Sequence, residues 1–134
     1  MSKSLIQTAN TSQQNVALNS IISLGSVLRR FGCNCRLNGN AIEVIGEGYY
    51  IVEICVTATP TAAGNVTIEL LQNDNVVAGT VTTSSVTTAG NSTSLPIAST
   101  IRVGCNCDGA TSLKVMLTAG EGVINNISMR VIKV

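Results

Sequence analysis

The chain has few of the residues on which catalysis and aromatic stacking depend. It has no histidine and no tryptophan, and its only aromatic residues are Phe31, Tyr49 and Tyr50. Without histidine there is no His-based triad, no imidazole base and no histidine metal ligand. The acidic residues are scattered along the sequence, and no two of them form a convincing acid–base pair. We therefore expect no enzyme activity, no cofactor and no metal site.

Charge is equally scarce. Charged residues make up 11% of the chain, whereas soluble domains typically contain about 25%. The net charge is +1. The one basic cluster, Arg29 and Arg30 with Arg36 nearby, has no aromatic platform beside it, so nucleic acid is not an expected partner. No apolar run approaches the roughly 18 residues of a membrane helix, so no membrane partner is expected either.

Strand-forming residues are abundant. Valine, isoleucine and threonine dominate, and glycine, asparagine and proline interrupt them at short intervals. A chain of 134 residues with 45% apolar content suits one domain over residues 1–134. The pattern predicts strands at residues 4–9, 14–18, 20–24, 26–31, 33–37, 40–45, 48–59, 65–72, 75–87, 91–103, 111–118 and 123–134. We expect some of these to merge into an all-β sandwich, jelly roll or barrel of about eight to ten antiparallel strands.

The clearest alternation lies between residues 48 and 59. Because successive side chains of a strand point to opposite faces, one set is predicted to face the core: Tyr50, Val52, Ile54, Val56 and Ala58. Ile51, Glu53, Cys55 and Thr57 are predicted to face the other way. Residues 72–75 combine residue types that favour a turn after the next strand.

The five cysteines allow three interpretations. Gly32-Cys33-Asn34-Cys35 recurs as Gly104-Cys105-Asn106-Cys107, and Cys55 is left over. In a strand, residues i and i+2 share a face, so each pair is predicted to present two thiols on one side. The four thiols could form cross-strand or inter-subunit disulfides, or bind zinc, although zinc sites usually have wider spacing. The interpretation that we favour is free, buried thiols, which are common in proteins made in the cytosol.

One stretch resembles a known family. Residues 39–52 resemble the hallmark of the tumour necrosis factor/complement globular-head jelly rolls, an apolar strand, a Gly-x-Tyr motif and a second apolar strand. Residues 66–73 resemble that family's next strand and turn, and residues 9–17 and 27–33 are similar to its bacterial and phage branch. That branch includes the C-terminal domains of collagen-like spore-surface glycoproteins and small structural proteins of Firmicutes phages. The resemblance implies a jelly-roll β-sandwich.

The resemblance also implies a tight homotrimer. In this family, the face of the Gly-x-Tyr strand opposite the core lies toward the threefold axis, together with the last strand. Carried over, the expected oligomer-interface residues are Ile51, Glu53, Cys55, Ser128, Arg130 and Ile132. Because a charge near an apolar interface is costly unless it is paired, our hypothesis is that Glu53 pairs with Arg130, within or between subunits. The alternative is that Glu53 simply faces solvent.

The sequence therefore predicts a structural protein that assembles with itself. The leading hypothesis is a trimeric subunit of a phage or prophage virion, contacting other virion or surface proteins. A spore-coat or surface-appendage subunit is the first alternative, and a glycan- or receptor-binding module is the second. Since no secretory signal is recognisable, we expect cytoplasmic synthesis followed by a location on a virion or on a cell or spore surface.

Overall fold

A computed structural model describes residues 3–104 and 110–134. These residues form strands and no helix, so none of them belongs to a helix that could cross a membrane. The strands are β1 (Leu5–Asn10), β2 (Gln14–Val16), β3 (Ser20–Ile21), β4 (Ser26–Phe31), β5 (Cys35–Asn38), β6 (Ala41–Val44), β7 (Gly48–Pro60), β8 (Gly64–Gln72), β9 (Asn75–Val76), β10 (Thr82–Val86), β11 (Thr93–Val103), β12 (Thr111–Ala119) and β13 (Gly122–Lys133).

The strands make two antiparallel sheets. In the first sheet the order is β11-β7-β13-β1-β4, and β2 also pairs with β13. In the second sheet the order is β10-β8-β12-β6-β5, with β3 beside β12 and β9 beside β8. The two sheets pack face to face as a sandwich, because each has one apolar face to bury.

The core lies between the sheets and follows the predicted alternation of β7. The five side chains predicted to point inward are at most 3% exposed, and Tyr50 is completely buried. Its hydroxyl donates a hydrogen bond to the backbone oxygen of Gly46 at 2.9 Å, so the buried phenol is satisfied. Leu113, Val115 and Leu117 of β12 are fully buried in the same cluster. Burial of each such aliphatic side chain contributes about 1.5–3 kcal/mol.

The predicted strand at residues 75–87 is divided in the structure. β9 ends at Val76 and β10 begins at Thr82, because Gly79 has a φ of 84° and turns the chain between them. Thr80 is fully buried in this turn. Its hydroxyl donates to the oxygen of Val77 at 2.7 Å and accepts from the amide of Leu70 at 3.2 Å. The turn at residues 72–75 is present as predicted, with positive φ at Asn73 and Asp74.

The two long edges of the sandwich differ. At one edge, β10 and β11 are joined by side-chain hydrogen bonds, since the hydroxyl of Thr82 donates to the oxygen of Pro96 at 2.9 Å and Ser84 bonds with Thr93. At the other edge lies β4, the last strand of the first sheet. All six residues of β4 are exposed. Across this second edge the Arg30 Nε donates to the oxygen of Cys35 at 2.6 Å, but the outer side of β4 pairs with no described strand. One edge is therefore bridged by hydroxyl side chains, whereas the other leaves the outer backbone edge of β4 open.

Candidate assembly face

The outer face of the first sheet consists of rows of side chains that cross the strands. Directly opposite residues of an antiparallel pair point to the same face, so the strand register defines each row. The apolar row contains Ile51 of β7, Ile132 of β13, Leu5 of β1 and Phe31 of β4. Ile51 is 38% exposed and Phe31 is 55% exposed. Four large apolar side chains from four adjacent strands thus lie side by side on the surface.

The next row along the strands is charged. Here Glu53 is opposite Arg130, Arg130 is opposite Gln7, and Gln7 is opposite Arg29. The Arg130 guanidinium donates a hydrogen bond to the Glu53 carboxylate, and each side chain is 45% exposed. In an isolated chain such a half-exposed ion pair contributes at most about 1 kcal/mol to the free energy of unfolding. The pair that the sequence suggested is therefore present, and it forms within one chain.

The third row contains small side chains. Cys55 lies opposite Pro96 on one side and Ser128 on the other, and Ser128 lies opposite Ala9. A shallow depression of about 310 Å³ is lined by three residues of this row and three of the charged row: Cys55, Pro96, Ser128, Gln7, Glu53 and Arg130. Because no long side chain projects from this row, another flat surface can approach the backbone closely here. We call the apolar, charged and small rows together the assembly face.

An aromatic side chain borders the apolar row. Tyr49 is 56% exposed, and the Arg102 guanidinium carbon lies 5.9 Å from the centre of its ring. Arg102 also lies 3.7 Å from the carboxylate of Glu47. The amide of Val134 donates to the oxygen of Tyr49 at 3.0 Å, and the Val134 side chain is 73% exposed. The apolar row thus continues to this end of the sheet.

The six residues predicted for an oligomer interface lie together. They form three directly opposed pairs, Ile51 with Ile132, Glu53 with Arg130 and Cys55 with Ser128. Contact with another subunit remains a prediction for all six. Sequence reasoning missed the contributions of β1 and β4 to the same rows. The alternation of Leu5 and Gln7 with the buried Ile6 was a signal for β1, but its pairing partners could not be known.

The prediction that Cys33 and Cys35 share a face is wrong. Cys33 is exposed in the bend before β5, whereas Cys35 begins β5 and is 1% exposed. The rule of alternation does not apply because the first thiol precedes the strand. Burial raises the pKa of the Cys35 thiol to about 11, although the positive charges of Arg30 and Lys133 partly oppose the shift. Cys35 is therefore a protonated, buried apolar residue at neutral pH.

Asn34, between these cysteines, holds the bend in place. Its side-chain oxygen accepts from the hydroxyl of the buried Ser4 at 2.8 Å, and its side-chain amide donates to the oxygen of Ile45 at 2.5 Å. Its backbone amide also donates to the Ser4 hydroxyl at 3.1 Å. These bonds join the start of β1, the bend and the loop before β7. The Gly-Cys-Asn-Cys segment therefore has a structural role through its asparagine.

The described cysteines form neither a disulfide nor a metal cluster with one another. Cys105 and Cys107 lie outside the described residues, so no pairing with them is assigned. The three cysteines that the structure describes, Cys33, Cys35 and Cys55, are free thiols, as the favoured interpretation predicted. The predicted burial holds for Cys35 but is wrong for Cys33 and Cys55, which are exposed in the bend before β5 and on the outer face of β7. Within residues 3–104 and 110–134, no three cysteine or carboxylate side chains are grouped so that they could hold a metal ion.

Comparison with solved structures identifies the fold. Murine APRIL superposes with a TM-score of 0.73 at 9% sequence identity, covering 99% of this chain and 100% of that chain. The globular domain of zebrafish complement 1qA protein gives 0.69 at 6% identity, covering 99% and 97%. PRD1 vertex protein P5 gives 0.64 at 13% identity, covering 98% and 73%. The sequence matches no protein-family model and no curated protein.

These similarities establish the architecture. The chain is an all-β jelly-roll sandwich with the tumour necrosis factor-like fold, as the strand pattern and the resemblance together predicted. At identities this low, the likeness concerns the fold alone, and one fold hosts many functions. What the protein does must therefore be argued from its own surfaces.

Proposed function

We propose that this protein is a non-enzymatic structural subunit that forms a homotrimer through its assembly face, in the virion of a phage or prophage. It would act there as a decoration, head-fibre or tip protein. The observation that carries the proposal is the apolar row, in which Ile51 and Phe31 are exposed and Ile132 and Leu5 are partly exposed. An outer face of an antiparallel sheet that meets water is usually polar, and large contiguous apolar patches mark interaction sites.

The charges of the assembly face are compatible with its burial. Covering a sheet face would be costly if it isolated a charge from water. Glu53 and Arg130, the two charges in the middle of the face, already neutralise each other across adjacent strands. Arg29 lies at the open edge, where its guanidinium can stay in water. The middle of the face can therefore be covered without leaving an unpaired charge.

Three copies arranged around a threefold axis would cover the assembly face of every subunit. Closed cyclic symmetry leaves no unsatisfied copy of the interface, unlike an open head-to-tail chain. The sequence resemblance described above implies the same number of subunits. The shared fold with PRD1 vertex protein P5 supports a place in a virion. We accordingly propose cytoplasmic synthesis followed by incorporation into a particle surface.

Multi-angle light scattering of the purified chain, with and without reductant, tests the trimer. We expect the mass of three chains in both conditions, because the proposed contact is non-covalent. A single-chain mass at micromolar concentration would contradict the proposal. A three-chain mass that is lost on reduction would show that disulfides, and not the assembly face, hold the subunits together.

A spore-coat or surface-appendage subunit is an alternative that uses the same fold and assembly. The two proposals differ only in the particle to which the subunit belongs, so the genes that flank the gene for this protein distinguish them. Capsid and tail genes favour the virion, and sporulation or surface-layer genes favour the appendage.

A glycan- or receptor-binding module is the second alternative. One end of the sandwich carries a depression of about 350 Å³, lined by Asn15, Val16, Ala17, Thr61, Glu121 and Gly122. Glu121 makes no ion pair with the described residues, so its carboxylate is available to a polar ligand. Binding of the intact protein on a glycan array, abolished by Glu121→Gln, would support this function. An array without hits would count against it.

A further inference from the structure

The open edge at β4 has a composition that differs from the rest of the surface. Within the described residues, β4 pairs only with β1, so its other side presents unpaired backbone amides and carbonyls. All six of its residues are exposed, and Val27 and Leu28 are 41% and 55% exposed. An exposed strand edge with apolar residues is a template for pairing with another strand.

Positive charge is concentrated at the same edge. Arg29 lies opposite Gln7 and so belongs to the outer face, whereas Arg30 lies opposite the buried Ile6 and points to the other side. The Arg30 Nε donates to the oxygen of Cys35 at 2.6 Å, which fixes this side chain beside the edge. Lys3 is exposed next to the turn that follows β4. None of the three cations forms an ion pair with a described residue.

A second copy of this edge does not fit. Antiparallel pairing of β4 with another β4 would bring the arginines of the two strands close together, and like charges across strands are destabilising. The edge strand of the second sheet, β10, contains no acidic residue. The described carboxylates without an ion pair are Glu69, on an interior strand, and Glu121, in a turn. No described strand edge of this chain therefore complements β4.

We propose that β4 is the docking strand for an extended acidic segment of a different polypeptide, which adds to the first sheet as a further strand. Backbone hydrogen bonds would supply affinity, as in other cases of strand addition. Two adjacent acidic residues of the segment would face opposite sides of the sheet, one toward Arg29 and one toward Arg30. Apolar residues flanking them would cover Val27 and Leu28. Arg29 and Phe31 belong to the border of the assembly face, but the unpaired backbone edge of β4 and the Arg30 side chain lie outside that face, so the proposal does not depend on trimer formation.

Fluorescence anisotropy with a labelled synthetic peptide tests the proposal. The probe is a short peptide in which two adjacent glutamates lie between valines and threonines, so that it is acidic and extended. We expect saturable binding that weakens with salt. The double variant Arg29→Gln/Arg30→Gln should bind about two- to thirtyfold more weakly, the range that two exposed ion pairs provide.

The matched control is the double variant Arg102→Gln/Lys114→Gln. It removes the same charge at the opposite edge of the first sheet and on the second sheet, and should bind the probe like the parent protein. A probe N-methylated along its backbone should fail to bind, because it cannot pair with a strand edge. Equal binding of the N-methylated probe, or an equal loss in both double variants, would overturn the proposal. So would inorganic polyphosphate that binds as tightly as the peptide.

Light scattering separates this inference from the proposed function. A trimer that does not bind the peptide refutes the docking strand alone. A single chain that binds the peptide refutes the trimer alone.

Discussion

Replacement of Ile51 by aspartate should prevent assembly while leaving the single chain folded. Ile51 retains 38% exposure in the single chain. Complete burial of an isoleucine contributes about 1.5–3 kcal/mol, so covering the exposed part contributes about 1 kcal/mol per subunit and about 3 kcal/mol per trimer. Loss of this burial free energy alone lowers the association constant of the trimer by about a hundredfold. The carboxylate adds to the loss, because its row neighbours Thr100 and Ile132 have no positive charge to pair with it.

The assay is sedimentation velocity over a range of protein concentrations. Val81→Asp is the matched control, since Val81 is 54% exposed but lies beside β10, away from the assembly face. Both variants should keep the thermal stability of the single chain within about 0.5 kcal/mol, as is usual for exposed positions. Trimers in Val81→Asp and single chains in Ile51→Asp are the expected result. If Ile51→Asp forms trimers as readily as the parent protein, the apolar row is not the contact.

Three further substitutions test the fold. Thr80→Val should destabilise the chain by about 1–3 kcal/mol in chemical denaturation, because the buried amide of Leu70 loses its acceptor. Gly120→Ala should lower stability by more than about 1 kcal/mol beyond Gly90→Ala, since both glycines have positive φ but only at Gly120 would a Cβ meet backbone atoms, at 2.7 Å. Because the Cys35 pKa is raised from 9.0 to about 11, the unfolded thiol ionises first, and stability should fall as pH rises from 9 toward 11. Denaturation midpoints of Cys35→Ala should fall less steeply over that range.

The strands and the inward face of β7 could be predicted because both depend on local pattern. A period of two with one apolar face specifies which side chains are buried, and Tyr50 to Ala58 obey it. The same alternation predicts that Ile51, Glu53 and Cys55 face outward, and the resemblance adds their expected place at an oligomer interface. Local pattern failed where one residue overrides it, as at Gly79, which ends the strand pattern before Thr80.

Which strands pair with each other could not be predicted from the sequence. The apolar row exists because Leu5 lies opposite both Ile132 and Phe31, and these three residues are widely separated along the chain. Neither β1 nor β4 carries a signal for its neighbour in the sheet. The openness of β4 is likewise a property of the sheet order, since a strand becomes an edge only when every other strand has been placed.

The distribution of the few charges links the two proposals. Glu43, Glu47, Glu53 and Asp74 each pair with a cation, so most of the described negative charge is neutralised locally. The remaining positive charge is concentrated at the β4 edge, while the middle of the assembly face is balanced. A balanced apolar face can pack against neighbouring copies around a threefold axis without an electrostatic penalty, whereas an unbalanced edge repels its own copy and attracts an acidic strand. This uneven distribution of the few charges thus suits one surface to the proposed self-association and the other to the proposed foreign chain.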